Sequence, residues 1–477
     1  MQDAHEFYIN GAWVSPIDGQ KMEVINPSSE DPVATITLGG KADTDAAVAA
    51  ARAAFTPWFN TPREERVAAL ERMYAAYKAR TEDMARAIST EMGAPIEMAR
   101  RQQVVAGLSH FKSAIRALKE FEFERRLDGA PNDRILMEPI GVCALITPWN
   151  WPMNQVVLKV APAIAAGCSV VLKPSEIAPL SSYLFAEIMD AADLPAGIFN
   201  MVNGDGSGAG TQLSGHPDVD MVSFTGSTRA GRLITKNAAN TIKRVTLELG
   251  GKGANIIFAD ADEDAVPRGV RHCMNNSGQS CNAPTRMLVQ RSRYEQAIEQ
   301  ARAEADKIRV ASADSSGNHI GPVVSDIQWQ KIQCLIRKGI DDGARIVTGG
   351  TGRPEGLNRG YYTRPTVFAD VTGDMTIWSE EIFGPVLSIT PFDDEDDAIE
   401  MANDTSYGLT NYVQTRDAEK ARRIARALRS GMVEINGHSR GPGAPFGGYR
   451  QSGNGREGGV WGLEDFLEVK SVGGWNG

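Results

Sequence analysis

The chain has 477 residues, of which 42% are hydrophobic and 23% are charged. At about 150 residues per domain, this length predicts two or three domains. A composition of this kind excludes disorder on the scale of a whole domain. Sixty Asp and Glu residues outnumber fifty Lys and Arg residues, which gives a net charge of −10. Because an acidic surface repels phosphate backbones, we expect no nucleic-acid partner.

No segment of the sequence predicts export or membrane insertion. Residues 1–10 lack a basic flank leading into an apolar run, so a secretory signal is not expected. The longest apolar stretch, Val160–Leu172, is interrupted by Pro162 and is too short to span a bilayer. These features predict a cytoplasmic protein without a membrane partner.

The cysteines are few and odd in number. None of them belongs to a Cys-x-x-Cys pair, and no histidine lies at metal-ligand spacing from them. We therefore expect neither a disulfide framework nor a bound metal, and any cysteine chemistry is expected to use one thiol. The five cysteines are Cys143, Cys168, Cys273, Cys281 and Cys334.

The first 121 residues predict a β-hairpin followed by helices. Asn10-Gly11 lies between two short apolar runs and is typical of a two-residue hairpin turn. Thr61-Pro62-Arg63-Glu64 has the form of a capping box with proline at the first helical position. Apolar residues at helical spacing predict helices over about 43–55, from 63 towards a stop at Gly93, and over about 96–121.

From residue 142 the sequence alternates between strand and helix patterns. Alternation of this kind predicts right-handed crossovers and a parallel, doubly wound α/β sheet. A second alternating block follows over about 254–425, and the tail returns to a strand pattern over 465–472. In the first block the predicted strands are 142–146, 169–172, 199–202, 221–224 and 245–249.

Two segments of the first block are candidate ligand sites. Asn150 lies in a Trp-Pro-rich loop after the first strand, where open sheets bind ligands, although a rigid loop with buried indoles explains most such segments. Gly226-Ser227 opens a helix whose free N–H groups suit a phosphate. A rival, Gly204–Ala209, fits the loose dinucleotide fingerprint, but only a weak helical pattern follows it. We interpret this rival as a flexible loop.

Three further segments carry reactive or polar groups. Glu248 ends an otherwise apolar strand beside two glycines, which favours a general base over an ordinary surface carboxylate. Cys281 follows a Gly/Gln/Ser loop and is the cysteine expected to be reachable, whereas Cys273 is expected to be a packing residue. Glu381 and Phe383, two residues apart on a segment expected to be extended, should face one ligand.

In this order, the segments around Asn150, Gly226, Glu248, Cys281 and Glu381 resemble the NAD(P)-dependent aldehyde dehydrogenase superfamily. The resemblance covers nearly the whole chain. It implies a Rossmann-like NAD domain (1–119 and 138–249), an α/β catalytic domain (250–450) and a small β oligomerisation arm with the tail (120–137 and 451–477). It also implies a homo-oligomer, either a dimer or a tetramer.

The resemblance implies roles for the three catalytic candidates. Cys281 matches the nucleophile that forms a thiohemiacetal with the aldehyde, and then a thioester once hydride has left. Asn150 matches the amide that stabilises the oxyanion together with the Cys281 backbone N–H. Glu248 matches the base that activates water to release the acid.

The resemblance also implies a cofactor site. Lys173 and Glu176 match residues that bind the adenosine ribose, and a carboxylate there repels the extra phosphate of NADP. NAD is therefore the expected cofactor, with NADP possible but less preferred. The remaining expected cofactor residues are Thr147, Pro148, Trp149, Gly226, Ser227, Leu249, Glu381 and Phe383.

Substrate recognition is predicted from fewer signals. Where some relatives carry tryptophan or arginine, this chain has Leu158, which favours neither a betaine aldehyde nor succinic semialdehyde. Polar candidates near the pocket suggest a polar or carboxylate-bearing aldehyde, although a surface arginine is the simple alternative for Arg440. The expected pocket residues are Trp151, Leu158, Asn275, Asn282, Arg440 and Phe446.

Three other functions are compatible with parts of the pattern. A CoA-acylating semialdehyde dehydrogenase resolves its thioester with CoA, but such relatives commonly lack a glutamate at the position of Glu248. A crystallin-like relative without activity need not retain the catalytic residues, which are all present here. A reductase acting on acids needs an activated acyl donor, and no nucleotide-activating motif is present.

Overall fold

The computed structural model describes residues 3–17 and 19–475. In chain order, the strands of this part are β1 (Phe7–Ile9), β2 (Ala12–Val14), β3 (Gln20–Asn26), β4 (Asp31–Leu38), β5 (Glu124–Leu127), β6 (Ala130–Pro139), β7 (Val142–Ile146), β8 (Ser169–Lys173), β9 (Phe199–Met201), β10 (Met221–Thr225), β11 (Arg244–Glu248), β12 (Ala254–Ile257), β13 (Arg286–Gln290), β14 (Arg345–Thr348), β15 (Thr366–Ala369), β16 (Val386–Phe392), β17 (Thr410–Gln414), β18 (Met432–Ile435), β19 (Gly453–Asn454) and β20 (Leu467–Val472).

Helices connect most of these strands. In chain order, the α-helices are α1 (Lys41–Phe59), α2 (Arg63–Ala79), α3 (Thr81–Met92), α4 (Ile96–Met98), α5 (Val104–Glu120), α6 (Pro152–Ala166), α7 (Leu180–Ala191), α8 (Thr211–Gly215), α9 (Thr228–Ala238), α10 (Ala265–Met274), α11 (Tyr294–Ala305), α12 (Asp326–Asp341), α13 (Thr376–Ser379), α14 (Glu395–Asn403), α15 (Ala418–Ala427) and α16 (Gly459–Glu464). None of the described helices is long and apolar enough to cross a membrane.

The predicted hairpin is confirmed at β1 and β2, which pair antiparallel around Asn10 and Gly11. Both turn residues have positive φ, 54° and 75°, as a tight two-residue turn with the twist of a hairpin requires. The stretch predicted as one helix up to Gly93 is instead two helices, α2 and α3, which meet at Arg80.

The capping box predicted at residues 61–64 is wrong. The residue before α2 is Pro62, and no side chain caps that helix end. Thr61 Oγ1 donates to the carbonyl of Pro57, 3.1 Å away. Because Thr61 follows directly after α1, its hydroxyl pairs with a carbonyl in the last turn of that helix instead of serving α2.

The first large sheet has eight strands in the order β19-β11-β10-β7-β8-β9-β1-β2. Its five central strands, β11 to β9, are parallel, and the strand pairs that flank them are antiparallel. Alternate residues of β7 pack into different cores, Leu145 against α6 and Ala144 with α1. Helices therefore cover both faces, which confirms the predicted doubly wound sheet.

The second large sheet has seven strands in the order β14-β15-β16-β13-β12-β17-β18. All of its pairs are parallel except that between β14 and β15. Ile256 and Ile257 of β12 belong to different apolar clusters, so this sheet too is buried on both faces. Cys273, in α10, is fully buried as predicted for a packing cysteine.

Strands β20, β6 and β5 form a separate antiparallel sheet, and β3 pairs with β4. The tail is divided between these units, because β19 pairs with β11 of the first large sheet and β20 with β6. The predicted boundaries of the three domains remain a prediction. After Glu248 the chain passes from the first large sheet to the second, which is where the first domain is expected to end.

Candidate active site

The order of the first large sheet fixes where a ligand can bind. Strand β7 is first in the chain among the parallel strands; β8 lies on one side of it and β10 on the other. The loops that leave β7 and β10 therefore run in opposite directions. A crevice opens between them at the carboxyl ends of these two strands, the switch point of the sheet. Asn150 lies in the loop after β7, and Gly226 and Ser227 lie in the turn after β10.

A cavity of about 210 Å³ occupies this crevice and is called here the strand-end cavity. It brings together ten of the sequence-predicted residues. These are Pro148, Trp149, Asn150, Gly226, Ser227, Glu248, Leu249, Cys281, Glu381 and Phe383.

A second cavity of about 330 Å³, the helix-side cavity, lies between α5, α6 and the loop that follows β18. It brings together five predicted pocket residues, and Cys281 belongs to its lining as well. Cys281 therefore lies where the two cavities meet. The five pocket residues are Trp151, Leu158, Asn282, Arg440 and Phe446.

The Cys281 thiol is placed for reaction but is not ionised by its surroundings. The residue is partly exposed. Burial of its sulfur, together with the negative charges of Glu381 and Glu248, raises the pKa of Cys281 to about 12. With this pKa the thiol is protonated at neutral pH, so a ligand or a base must favour the thiolate.

The loop before Cys281 is held in an uncommon conformation. Asn276 and Ser277 have φ of 53° and 56°, in the left-handed region that non-glycine residues seldom occupy. Ser277 Oγ donates to Gly321 O at 2.7 Å, and Gln279 Nε2 donates to Asn276 O at 3.0 Å. The Gln279 Oε1 atom accepts from Val324 N at 2.9 Å. Buried hydrogen bonds therefore fix the path that presents the thiol.

Asn150 is fixed against the same loop. Its Nδ2 donates to Gln279 O at 3.0 Å, and its backbone carbonyl accepts from Gln103 Nε2 at 3.1 Å and from Asn276 Nδ2 at 2.9 Å. A carboxamide has two N–H groups, so one orients the side chain and the second is available to the strand-end cavity. Such a preoriented donor suits a developing oxyanion.

Glu248 is the last residue of β11 and is only 4% exposed. Neither carboxylate oxygen has a hydrogen-bond partner among the described residues. Burial, and then the charge of Glu457, raise the pKa of Glu248 well above its usual range. Glu457 itself pairs with Lys159, with Nζ and Oε1 2.5 Å apart. A buried, unpaired carboxyl with a raised pKa is well suited to general-base catalysis.

Glu381 and Phe383 both line the strand-end cavity, but not on the extended segment that was expected. Phe383 has a φ of 58°, and its ring meets Trp149 edge to face with centroids 5.5 Å apart. Glu381 Oε1 accepts from Gly251 N at 2.8 Å. A Cβ on Gly250 would lie 2.4 Å from an oxygen of this carboxylate, so a larger residue there would require the Glu381 side chain to shift.

The start of α9 faces the strand-end cavity, and its free N–H groups suit an anion. Ser227 is its N-cap, with Oγ accepting from Ala230 N at 3.2 Å. No acidic residue lies in the first turn. The helix N-terminus and the adjacent glycines form a cradle that fits the phosphates of a dinucleotide.

Lys173, Glu176 and Thr147 lie beside the strand-end cavity and are not part of its described lining. Lys173 ends β8, its Nζ lies 3.1 Å from Glu176 Oε2, and its carbonyl accepts from Thr147 N at 3.1 Å. The rival glycine segment is not a loop, because residues 206–210 form a π-helical turn capped by Asp205. The Asp205 carboxylate accepts a hydrogen bond from Gly208 N and so holds these glycines in the turn.

Two of the predicted pocket residues have partners that the sequence did not indicate. Arg440 Nε lies 3.2 Å from Glu434 Oε1, and its guanidinium lies 5.1 Å from the centre of the Phe446 ring. The Asn275 amide donates to Gln102 Oε1 at 3.1 Å, and Asn275 is not part of the described lining of either cavity. Its predicted contact with substrate stays a prediction.

Several residues of the site were not predicted. Gln103, Asn276 and Gln279 orient Asn150, and they lie too far apart in sequence from Asn150 for any local pattern to reveal this. The lining of the helix-side cavity did carry a signal. Trp151 and Gln155 are four residues apart across the start of α6, a spacing that puts both side chains on one face.

A switch-point crevice, a helix start suited to phosphates and a thiol beside a buried carboxyl define a class of α/β protein built for chemistry at cysteine. Comparisons with known proteins give the particular family. The model of the aldehyde dehydrogenase family matches residues 13–472. A 3-succinoylsemialdehyde-pyridine dehydrogenase from a Pseudomonas species is 51% identical, with 100% of both chains covered.

Solved structures agree with this match. A crystal structure of an aldehyde dehydrogenase from Bartonella henselae has a TM-score of 0.99 at 57% identity, with 100% of both chains covered. A cysteine-to-alanine mutant of aldehyde dehydrogenase C from Pseudomonas syringae, in complex with NAD⁺ and octanal, has a TM-score of 0.98 at 48% identity. That match covers 99% of this chain and 97% of the other. The chain belongs to the aldehyde dehydrogenase family.

Proposed function

We propose that this protein oxidises an aldehyde to the carboxylic acid with NAD⁺ as acceptor, through a thioester on Cys281 that water hydrolyses. The observation that carries the proposal is the position of Cys281, at the junction of the strand-end and helix-side cavities. Asn150 and Glu248 line the first cavity, and both apolar and polar side chains line the second. Cofactor and aldehyde can therefore reach one sulfur from different sides.

The first half of the reaction is capture of the aldehyde. The Cys281 thiolate attacks the carbonyl carbon, and the oxygen takes up the negative charge of the broken π bond. The free N–H of Asn150 and the backbone N–H of Cys281 stabilise this oxyanion. When bound, NAD⁺ supplies a cationic ring that favours the thiolate and accepts the hydride from the former aldehyde carbon. Collapse of the oxyanion leaves the thioester.

The second half is hydrolysis. Glu248, as its carboxylate, takes a proton from water, and the resulting hydroxide equivalent attacks the thioester carbonyl. The carbon–sulfur bond breaks, the acid leaves and the thiol regains a proton. In sum, one aldehyde, one NAD⁺ and one water give one acid, one NADH and one proton.

The residues at the strand-end cavity fit NAD⁺ by their chemistry. The start of α9 suits its phosphates, and the Trp149 and Phe383 rings offer flat apolar contacts. Glu176, paired with Lys173, is proposed to bind the ribose hydroxyls and to disfavour the phosphate of NADP. We expect the ratio of kcat/KM for NAD⁺ over NADP⁺ to fall in Glu176→Gln.

We also propose that the protein forms dimers or tetramers through the sheet of β5, β6 and β20. Val469, in β20, is 64% exposed, and Leu127, at the end of β5, is 42% exposed. Exposed apolar side chains are one mark of a surface that contacts another subunit. Analytical ultracentrifugation should find the oligomer in the native protein and a lower state in Val469→Asp.

The test of the catalytic proposal is NADH formation over a panel of aldehydes, with and without CoA, using Cys281→Ala as the blank. We expect turnover that needs no CoA, yields the acid and is absent from the blank. Turnover only with CoA would replace hydrolysis by acyl transfer. Retained turnover in Cys281→Ala would remove the thioester from the mechanism.

A further inference from the structure

We propose that the helix-side cavity selects uncharged aldehydes with a hydrogen-bonding group beyond an apolar segment, and that Glu434 makes it reject carboxylate-bearing aldehydes by neutralising Arg440. This inference rests on the proposed aldehyde oxidation. It names the class of substrate and the residues that set it.

The charge of the cavity is balanced. Arg440 is the one lining residue with a permanent charge in the described part of the chain. Glu434 lies against it, with Nε and Oε1 3.2 Å apart, and the side chains are 26% and 10% exposed. His110 also lines the cavity, and burial lowers its pKa, so the imidazole is neutral at pH 7.

This balance acts against both kinds of charged substrate. A carboxylate that approaches Arg440 meets a guanidinium already paired with the negative Glu434, which is not itself part of the described lining, and an ammonium group meets Arg440 directly. Like charges brought together in a partly buried site oppose binding. The Arg440 guanidinium is further engaged by the carbonyl of Pro445, 3.5 Å from Nη1. A neutral substrate escapes both repulsions.

Two polar side chains that line the cavity each have an atom without a hydrogen-bond partner among the described residues. Gln155 is 4% exposed and Ser113 is 7% exposed, and both line the cavity. Gln155 Oε1 and Ser113 Oγ have no hydrogen-bond partner among the described residues. Since an unpaired buried polar atom is unfavourable, a substrate that pairs with these atoms gains affinity.

Apolar walls lie alongside these groups. Trp151, Leu158 and Phe446 line the same cavity as Cys281. They suit a hydrocarbon segment between the aldehyde carbon and the polar end. An amide, a hydroxyl group or a ketone is therefore the fitting terminal group, because each forms hydrogen bonds without carrying charge.

The test uses four aldehydes with a six-carbon chain: hexanal, adipic semialdehyde, its ω-amide, and ω-trimethylammonio hexanal. The amide and the acid differ only in charge and one donor group. We expect kcat/KM to be highest for the amide and at least about tenfold lower for the acid, equivalent to about 1.4 kcal/mol. The kcat/KM of the cationic aldehyde should be lower than that of hexanal.

Two variants separate charge from hydrogen bonding. Glu434→Gln leaves Arg440 unpaired, so the acid-to-hexanal ratio of kcat/KM should rise about tenfold. Adding Arg440→Met should abolish that rise. Gln155→Leu should lower the amide-to-hexanal ratio, and Ser113→Ala provides a second, smaller change if Gln155→Leu folds poorly. Glu464→Gln, an exposed carboxylate outside both cavities, is the matched control.

The outcomes distinguish this inference from the proposed function. A native protein that prefers the acid, or a Glu434→Gln variant with an unchanged acid-to-hexanal ratio, overturns the selectivity while leaving aldehyde oxidation intact. Absence of Cys281-dependent NADH formation with every aldehyde, hexanal included, overturns the proposed function and this inference with it.

Discussion

The two cavities that meet at Cys281 are built in different ways. The strand-end cavity is lined by the loops that leave β7, β10 and β11 of the first large sheet and by Cys281, Glu381 and Phe383, which lie in loops before β13 and β16. The helix-side cavity is formed by side chains of α5 and α6 and by a loop near the end of the chain. The first holds an unpaired buried carboxyl, Glu248, whereas the charge in the second is paired.

This difference separates reaction from selection. Asn150 and Glu248 lie at strand ends of the sheet, and Cys281 follows a loop held by buried hydrogen bonds, which suits a fixed arrangement of oxyanion donor, base and nucleophile. Side chains on helix faces can be exchanged without altering that arrangement. We therefore expect changes in the strand-end cavity to act on rate for every aldehyde, and changes in the helix-side cavity to act on the choice of aldehyde.

The largest effect should come from Glu248→Gln, which removes the proposed base. Loss of a general base typically costs about 10²–10⁴-fold in rate. Because hydride transfer precedes hydrolysis, a rapid burst of NADH equal to the enzyme concentration should remain while steady turnover falls. Stopped-flow absorbance measures both phases. A lost burst with the thiol still reactive would contradict this role, and Glu464→Gln serves as the control.

The second largest loss of rate is expected from Asn150→Ala. Removal of one oxyanion donor costs about 10²–10³-fold in kcat. The burst itself should slow, since the oxyanion forms before hydride transfer, and the loss should be similar for hexanal and for polar aldehydes. Asn358→Ala, on an exposed loop outside both cavities, is the matched truncation. A loss confined to one class of aldehyde would mean that Asn150 selects substrates.

The pH dependence of the thiol tests the strand-end cavity without substrate. Since burial raises the pKa of Cys281 to about 12, its alkylation by iodoacetamide should increase about tenfold per pH unit from pH 7 to pH 9. A free thiol, with a pKa of about 8.5, levels off in that range. A Cys334→Ser background removes the exposed cysteine. A plateau below pH 9 would show that the thiol is not buried as described.

The smallest effect concerns Glu91 of α3, which is fully buried. Its carboxylate accepts from the N–H groups of Leu180 and Ser181 at the start of α7. Burial raises its pKa to about 7, so the folded state binds this proton more tightly than the unfolded chain. The resulting stabilisation is complete below pH 4 or so and is lost as the pH rises through about 7.

We therefore expect the stability difference between the native protein and Glu91→Gln to shrink by about 2–3 kcal/mol from pH 5 to pH 8. Denaturant unfolding at four pH values measures it. A difference that does not change with pH would mean that Glu91 keeps its charge throughout. Substrate preference should not change in this variant, because Glu91 lies outside both cavities.

The sequence predicted the strand-end cavity far better than the helix-side cavity. Alternating strand and helix patterns predicted a parallel sheet, and the carboxyl ends of its strands bring Asn150, Ser227 and Glu248 to one edge. Cys281 was singled out because it follows a loop of small and polar residues rather than an apolar face. The assignment of roles to these residues needed the resemblance to a family.

Side-chain pairings that do not follow a helix or strand spacing could not be predicted. Glu434 and Arg440 are six residues apart, at the end of β18 and in the loop beyond it, and only the fold brings the charges together. Thr61 shows a different failure. Its local sequence is typical of a capping box for α2, but its hydroxyl donates to a carbonyl at the end of α1. Phe383 likewise adopts a positive φ that its sequence did not indicate.

The pairing of Gly453 in β19 with Glu248 in β11 has a consequence for synthesis of the chain. Proteins emerge from the ribosome N-terminus first, at about 5–20 residues per second. The strand that encloses Glu248 is therefore made about 10–40 s after Glu248 itself. Glu457, whose charge helps to raise the pKa of Glu248, follows directly after it. A nascent chain that already displays Cys281 thus lacks a finished hydrolytic centre until its last segment has been translated.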